Sequence, residues 1–166
     1  MISNIPDLSL LPTSWKGSDL SKNKDLWIKT FSYQEISELE NATFKFLKSK
    51  KDLSMMKLKD FTLPTLSSYL TKLQEDLKNG LGFKLLKGIQ AEKYNIQQLA
   101  TMYYGIGLHI GSPRSQNAKG HLLGHVRDLG LDLKNKDVRV YQTNERQYFH
   151  TDSSDVVGLL CLKQAR

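Results

Sequence analysis

An α+β fold, helical first and strand-rich towards its end, is what the sequence predicts. Two observations carry it. Apolar residues recur at helical spacing behind capping signals as far as about residue 106. From residue 138, short β-branched and aromatic runs take over, after a long stretch of glycine and polar residues.

The elements follow in order. Residues 1–31 have no clear period, but Trp15 and Trp27 predict that this stretch packs onto the rest of the chain. Ser32-Tyr33-Gln34-Glu35 is a capping box, in which the serine oxygen takes one orphan N–H and the glutamate returns to another. Ile36, Leu39, Thr43, Phe46 and Leu47 then recur at helical spacing, which predicts a helix over about 33–49. A second helix starts near Pro64, carries Leu66, Tyr69, Leu70, Leu73 and Leu77, and stops at Gly80 after Asn79. Residues 82–86 read as a short strand. Asn95 caps a third helix bearing Ile96, Leu99, Ala100, Tyr103 and Ile106. From Gly105 the chain is expected to turn irregular, through Gly111, Ser115, Asn117, Gly120 and Gly124; long loops of this kind in compact domains are functional or disordered. Residues 138–141 and 147–150 read as strands, and Val156–Leu162 as a buried strand with Cys161 as inert core.

Composition narrows the function. The chain has 166 residues, of which 39% are hydrophobic and 25% charged, which suits one folded domain. No apolar run approaches the roughly 18 residues that a membrane span needs. One cysteine cannot form an internal disulfide, and Met1–Asp7 has no basic region followed by a long apolar one, so a soluble cytoplasmic protein is predicted. The net charge is +7, but apart from the short Lys48-Ser49-Lys50-Lys51 run the basic residues are dispersed. Nucleic-acid readers cluster their charge and interleave aromatics, so the expected partner is a small molecule, with an acidic one suited to the charge, and neither nucleic acid nor membrane.

His150-Thr151-Asp152 is the sharpest chemical feature. In a strand, residues two apart share a face, so an imidazole nitrogen and a carboxylate oxygen would converge. That is two thirds of the two-histidine, one-carboxylate triad of non-haem iron oxygenases. Taken alone, a histidine beside an acid is more often a hydrogen-bonded structural pair than a metal site. His121 and His125 are four apart, but Gly120 and Gly124 flank them and no glutamate follows His121, so the zinc-protease helix motif is absent. His109 reads as a surface or loop histidine. Asn117 and His121 lie in the long polar loop, where amide and other polar side chains commonly fix loop geometry.

Three blocks taken together resemble the taurine dioxygenase-like (TauD/TfdA) family of Fe(II)/2-oxoglutarate-dependent oxygenases, most closely its fungal and plant branch. They are Gly82-Phe83 through Leu86-Lys87-Gly88; Tyr104-Gly105-Ile106-Gly107 with Ser115 through Gly130; and Tyr148 through Ser153 with Asp155 through Leu162. The resemblance covers about residues 61–166 in the family's order, leaving 1–60 as an N-terminal extension with a helix. It implies a double-stranded β-helix (jelly-roll) core flanked by helices, with His150 and Asp152 binding iron and with the segment ahead of the iron strand lining the substrate pocket, which makes Asn117 and His121 candidate substrate-binding groups. It also implies oxidative decarboxylation of 2-oxoglutarate to succinate and CO2, coupled to oxidation of a small organic substrate. The family's second iron histidine and its 2-oxoglutarate arginine lie far downstream of His-x-Asp. No histidine follows His150, and Arg166 is too near Asp152 to be that arginine. A jelly roll needs about eight strands, so only the first are expected here, with an exposed strand edge prone to self-association. Two readings follow: a dioxygenase or its N-terminal fragment, and a catalytically incomplete relic or binding module of the same fold.

Overall fold

The structure, a computed structural model, describes residues 9, 11–117 and 120–164. Met1–Asp7, Ala118, Lys119 and Arg166 lie outside the described residues. The elements run α1 (Gly17–Lys22), β1 (Ile28–Thr30), α2 (Tyr33–Lys48), α3 (Leu66–Asn79), β2 (Leu85–Lys87) and α4 (Ile96–Ile110), with short 3-10 turns between them and one at Val140–Gln142. The chain divides into two units, Met1–Ser112 with Leu159–Arg166, and Pro113–Gly158.

The first unit is built on three helices, and their caps fix where each starts. Glu35 N–H donates to Ser32 Oγ (3.2 Å) and Ser32 N–H to Glu35 Oε2 (2.7 Å), closing the predicted box at the head of α2. Asn95 and Gln98 do the same for α4 at 2.9 Å each way. The head of α3 is capped from another helix: the Glu38 carboxylate on α2 accepts from Thr65 N–H at 3.0 Å and Leu66 N–H at 3.1 Å. A negative group at a helix N-terminus is favoured by the orphan donors and by the dipole. Burial works against the Glu38 charge, but the hydrogen bonds from Thr65 and Leu66 outweigh it and hold the carboxyl below its ordinary value of 4.5.

α4 is the hub, packing against both α2 and α3. Leu99, Met102, Tyr104 and Ile106 are buried on it, facing a core of Leu39, Ala42 and Phe46 from α2, Leu66, Leu70 and Leu73 from α3, and Phe61 and Leu63 between them. The helix does not end at Gly105 as expected; it continues to Ile110. Gly105 is there for packing, because a Cβ at that position would overlap the ring of Phe61. Ile96, expected in the apolar stripe, is exposed, since burial on α4 wraps round the helix instead of following one line. His109, on the last turn of α4, donates its Nε2–H to the Phe61 carbonyl at 2.8 Å, so it is a packed histidine and not the surface or loop residue expected. Gly80 ends α3 as predicted: a Cβ there would stand 2.8 Å from the Asp76 carbonyl.

The N-terminal stretch does pack. Trp15 and Trp27 flank Phe83 with ring centroids 5.0 and 5.9 Å away, and their indole N–H groups reach the carbonyls of Leu81 and Leu20. This brings β1 beside β2 as a parallel pair, with Ile28 opposite Leu85 and Thr30 opposite Lys87. The strand expected at 82–86 is thus shifted to 85–87. Lys29 on β1 reaches back to Glu35 at 2.9 Å and lies 5.3 Å from the Tyr69 ring centroid. Burial raises the Glu35 carboxyl, but the Ser32 N–H, Lys29 and Ser32 hydroxyl together bring it below 4.5. Tyr94 donates its hydroxyl to Glu40 at 2.8 Å, and burial with that carboxylate pushes its own ionisation up to about 12.

The strands expected after residue 137 are not formed among the described residues. Residues 138–141 overlap a 3-10 turn at Val140–Gln142, while 147–150 and 156–162 are irregular. A strand exists only when a second one supplies its ladder, and the one ladder among the described residues is β1–β2. The run expected to be buried is largely exposed, Leu159 by 83%. Cys161 is exposed with it, its thiol donating to the Lys163 carbonyl, so it is not core. The two-stranded parallel sheet with helices is a mixed α and β architecture, and the jelly roll expected from the resemblance is not part of the described structure.

Within the second unit no described residue is fully buried. Backbone bonds hold it: Arg127 N–H to the Tyr141 carbonyl at 3.0 Å and Leu129 N–H to the Gln142 carbonyl at 2.8 Å.

Two outcomes are expected. Gly105→Ala should destabilise the first unit by about 1–3 kcal/mol, the usual range for overpacking, read as a lower urea midpoint with an unchanged slope. Glu35→Gln should cost about 1.5–3 kcal/mol at neutral pH, typical of hydrogen bonds to a charged group. Because the folded carboxyl is depressed, its contribution is present above pH 4.5 and is lost as pH falls through the lower folded value. The variant should therefore show a flatter loss of stability with acid, measured by urea denaturation from pH 7 to pH 3.

Candidate metal centre

His150 and Asp152 lie in the second unit on irregular backbone, not on the strand that their spacing suggested. What brings them together is a bend. The His150 Nδ1–H donates to the Tyr148 carbonyl at 2.8 Å, curling the chain over two residues. The His150 Nε2 then stands 3.8 Å from Asp152 Oδ1, with side chains 49% and 54% exposed. Gln147 adds a contact at 3.2 Å between its side-chain amide nitrogen and His150 Nε2. Arg146 lies 5.2 Å from the Tyr148 ring centroid and steadies the same turn by a cation–π contact.

An open cleft of about 350 Å³ is lined by Arg146, Gln147, Tyr148, Phe149 and His150, and Asp152 is not among its walls. The reason is again backbone: off a strand, residues two apart have no fixed common face.

The donor chemistry suits a divalent ion. An imidazole nitrogen and a carboxylate oxygen are ordinary ligands for iron, and His150 and Asp152, whose Nε2 and Oδ1 stand 3.8 Å apart, would be the residues to hold it. Among the described residues, no group of three or more His, Cys, Asp and Glu is placed to hold a metal. The pair therefore supplies two donors.

Asn117 and His121 are brought together, but by each other. The Asn117 amide meets His121 Nδ1 at 3.0 Å, His121 N–H returns to Asn117 Oδ1 at 3.3 Å, and Gln116 N–H donates to the His121 carbonyl at 2.7 Å. Both side chains are exposed and both help close the loop. Tyr148 and Gln147 escaped the sequence reading as contributors to the site. The carbonyl of Tyr148 carries no side-chain signal, and a glutamine three residues before a histidine has no motif.

Comparison with known proteins decides the family. The family described as taurine catabolism dioxygenase TauD, TfdA matches residues 47–166, more than half of the chain. The chain belongs to the TauD/TfdA family. It is similar to the FR-33289 synthase of Streptomyces rubellomurinus, with 37% identity over 93 residues, covering 55% of this chain and 27% of that protein. It is also similar to the taurine hydroxylase-like protein SAT17 of Stachybotrys chartarum, with 26% identity over 159 residues, covering 92% of this chain and 41% of that protein. The chain thus spans well under half the length of the curated relatives it matches. Membership implies Fe(II)/2-oxoglutarate-dependent oxygenase chemistry at the level of the family. Among the described residues no helix is long and apolar enough to cross a membrane.

Proposed function

We propose that the chain carries the first part of the iron site of an Fe(II)/2-oxoglutarate-dependent dioxygenase, with His150 and Asp152 as two of the three protein ligands. The observation that carries this reading is the approach of His150 Nε2 to Asp152 Oδ1 at 3.8 Å, inside the segment that matches the family. Bound iron would supply the redox chemistry, the oxidative decarboxylation of 2-oxoglutarate coupled to oxidation of a C–H substrate. The chain's own residues would hold and orient: His150 through its ring nitrogen, Asp152 through its carboxylate, which also offsets the cation's charge. Asn117 and His121 would present polar groups to the substrate, a small organic molecule for which the +7 balance favours an acidic one. Neither nucleic acid nor membrane enters this reading, and a cytoplasmic setting suits it. The printed name of one relative, a taurine hydroxylase-like protein, supports oxidation of a small molecule.

One observation favours the second reading, a catalytically incomplete relic or binding module. The described residues bring together two metal donors and not three. Two protein ligands hold a divalent ion less tightly than three, and nothing on this pair clamps the far carboxylate of 2-oxoglutarate. Charge-assisted contacts of that kind are worth about 1.5–3 kcal/mol, so their loss weakens binding by about tenfold or more.

The test is metal binding followed by turnover. The chain should bind Co(II) weakly, and Asp152→Ala and His150→Ala should each abolish that binding; equal binding by all three would overturn the iron-site reading. With Fe(II), ascorbate and 2-oxoglutarate, succinate release should be inefficient. Robust release that Asp152→Ala abolishes would mean that His109, His121, His125 or a second chain completes the triad. Self-association belongs to the same proposal, through the exposed apolar run that includes Val156, Val157, Leu159 and Leu162. Sedimentation should shift to larger species with concentration, and Val157→Lys should suppress the shift.

A further inference from the structure

His150 touches three groups, and their chemistry fixes where its proton sits. A carbonyl only accepts, so the 2.8 Å contact between Nδ1 and the Tyr148 carbonyl requires the proton on Nδ1. A neutral imidazole carries one proton, so Nε2 keeps its lone pair. The Gln147 side-chain nitrogen stands 3.2 Å from that lone pair, and an amide N–H can donate to it. The third group, Asp152 Oδ1 at 3.8 Å, is also electron-rich. Two electron-rich atoms therefore stand 3.8 Å apart, a pairing that suits a cation, and one of them is covered by a neutral donor. A free neutral imidazole in water carries its proton mainly on Nε2, so the local structure reverses the ordinary preference.

We propose that Tyr148 and Gln147 are positioning residues that preset His150 for metal capture: the Tyr148 carbonyl holds the ring as the Nδ1–H tautomer, and the Gln147 amide occupies the Nε2 lone pair until a divalent cation displaces it. This rests on the iron-site reading and deepens it. A ligating histidine is oriented through its other ring nitrogen, and here that partner is supplied by the backbone two residues away, inside one turn. The ring therefore needs no other element to select its tautomer. Gln147 works in the opposite direction, as a weak competitor that must swing away. Its contact is exposed and neutral, so it yields readily, yet it covers the nitrogen that would otherwise be open to water.

The experiment is long-range proton–nitrogen NMR of the histidine rings in the full metal-free chain at pH 8.5, above the ordinary histidine range. His150→Ala identifies the His150 signals. The expected result is the Nδ1–H pattern for His150, and an Nε2–H pattern overturns the proposal. Zinc(II) alone, a diamagnetic probe, is then titrated in, and the His150 Nε2 signal should move. Gln147→Ala should bind zinc about two- to threefold more tightly, the lower end of what one neutral hydrogen bond is worth. Unchanged or weaker binding overturns the placeholder role. The failures are distinguishable. An Nε2–H ring whose signals still respond to zinc removes the preset tautomer and leaves the metal reading standing. An Nδ1–H ring that zinc does not touch removes the metal reading, and with it the use assigned to the tautomer.

Discussion

The first unit depends on the closeness of Phe61 to α4. Its ring lies where a Cβ on residue 105 would be, and its carbonyl takes the His109 proton one turn further along the same helix. These two contacts fix both faces of one residue to one helix. They seat the segment between α2 and α3 against α4, and from there Leu63 and Leu66 enter the core. Interiors are packed to crystal-like density, so a helix that admits an aromatic ring against its backbone leaves no room for a side chain at the point of contact.

The polar contacts of this unit work by the same economy of groups. Glu35 closes the cap of its own helix and receives Lys29 from β1, so one carboxylate joins a helix start to a strand. Glu38, one position short of a full turn away on α2, caps α3. Each satisfies backbone donors that would otherwise be orphaned at a helix head. Each also keeps its charge because those hydrogen bonds outweigh the opposing effect of burial.

The second unit is held differently. Its described residues have no buried core, and hydrogen bonds shape it: an Asn117–His121 clasp, ties from 127 and 129 to the 140–142 turn, and a two-residue bend at His150. Such bonds set local geometry without needing a core. That is how a metal-ligand pair can come within 3.8 Å on irregular backbone. It is also why the pair stays half exposed.

The helices were legible because their information is local. Ser32 with Glu35, Asn95 with Gln98, and the spacing of Leu66, Leu70 and Leu73 act within a few residues, so the sequence by itself determined where α2 and α4 begin and that Leu66, Leu70 and Leu73 lie on the buried face of α3. The chemistry of His150 and Asp152 was legible as a pair of donor types two residues apart. Tertiary structure decided the rest. Gly105 looks like a helix breaker until Phe61 is set against it, and β1 cannot be read from Ile28–Thr30 until the Trp15, Trp27 and Phe83 cluster brings β2 alongside. Val156–Leu162 has the composition of a buried strand, but composition is a property of the run itself, whereas a strand is a property of two runs and the ladder between them.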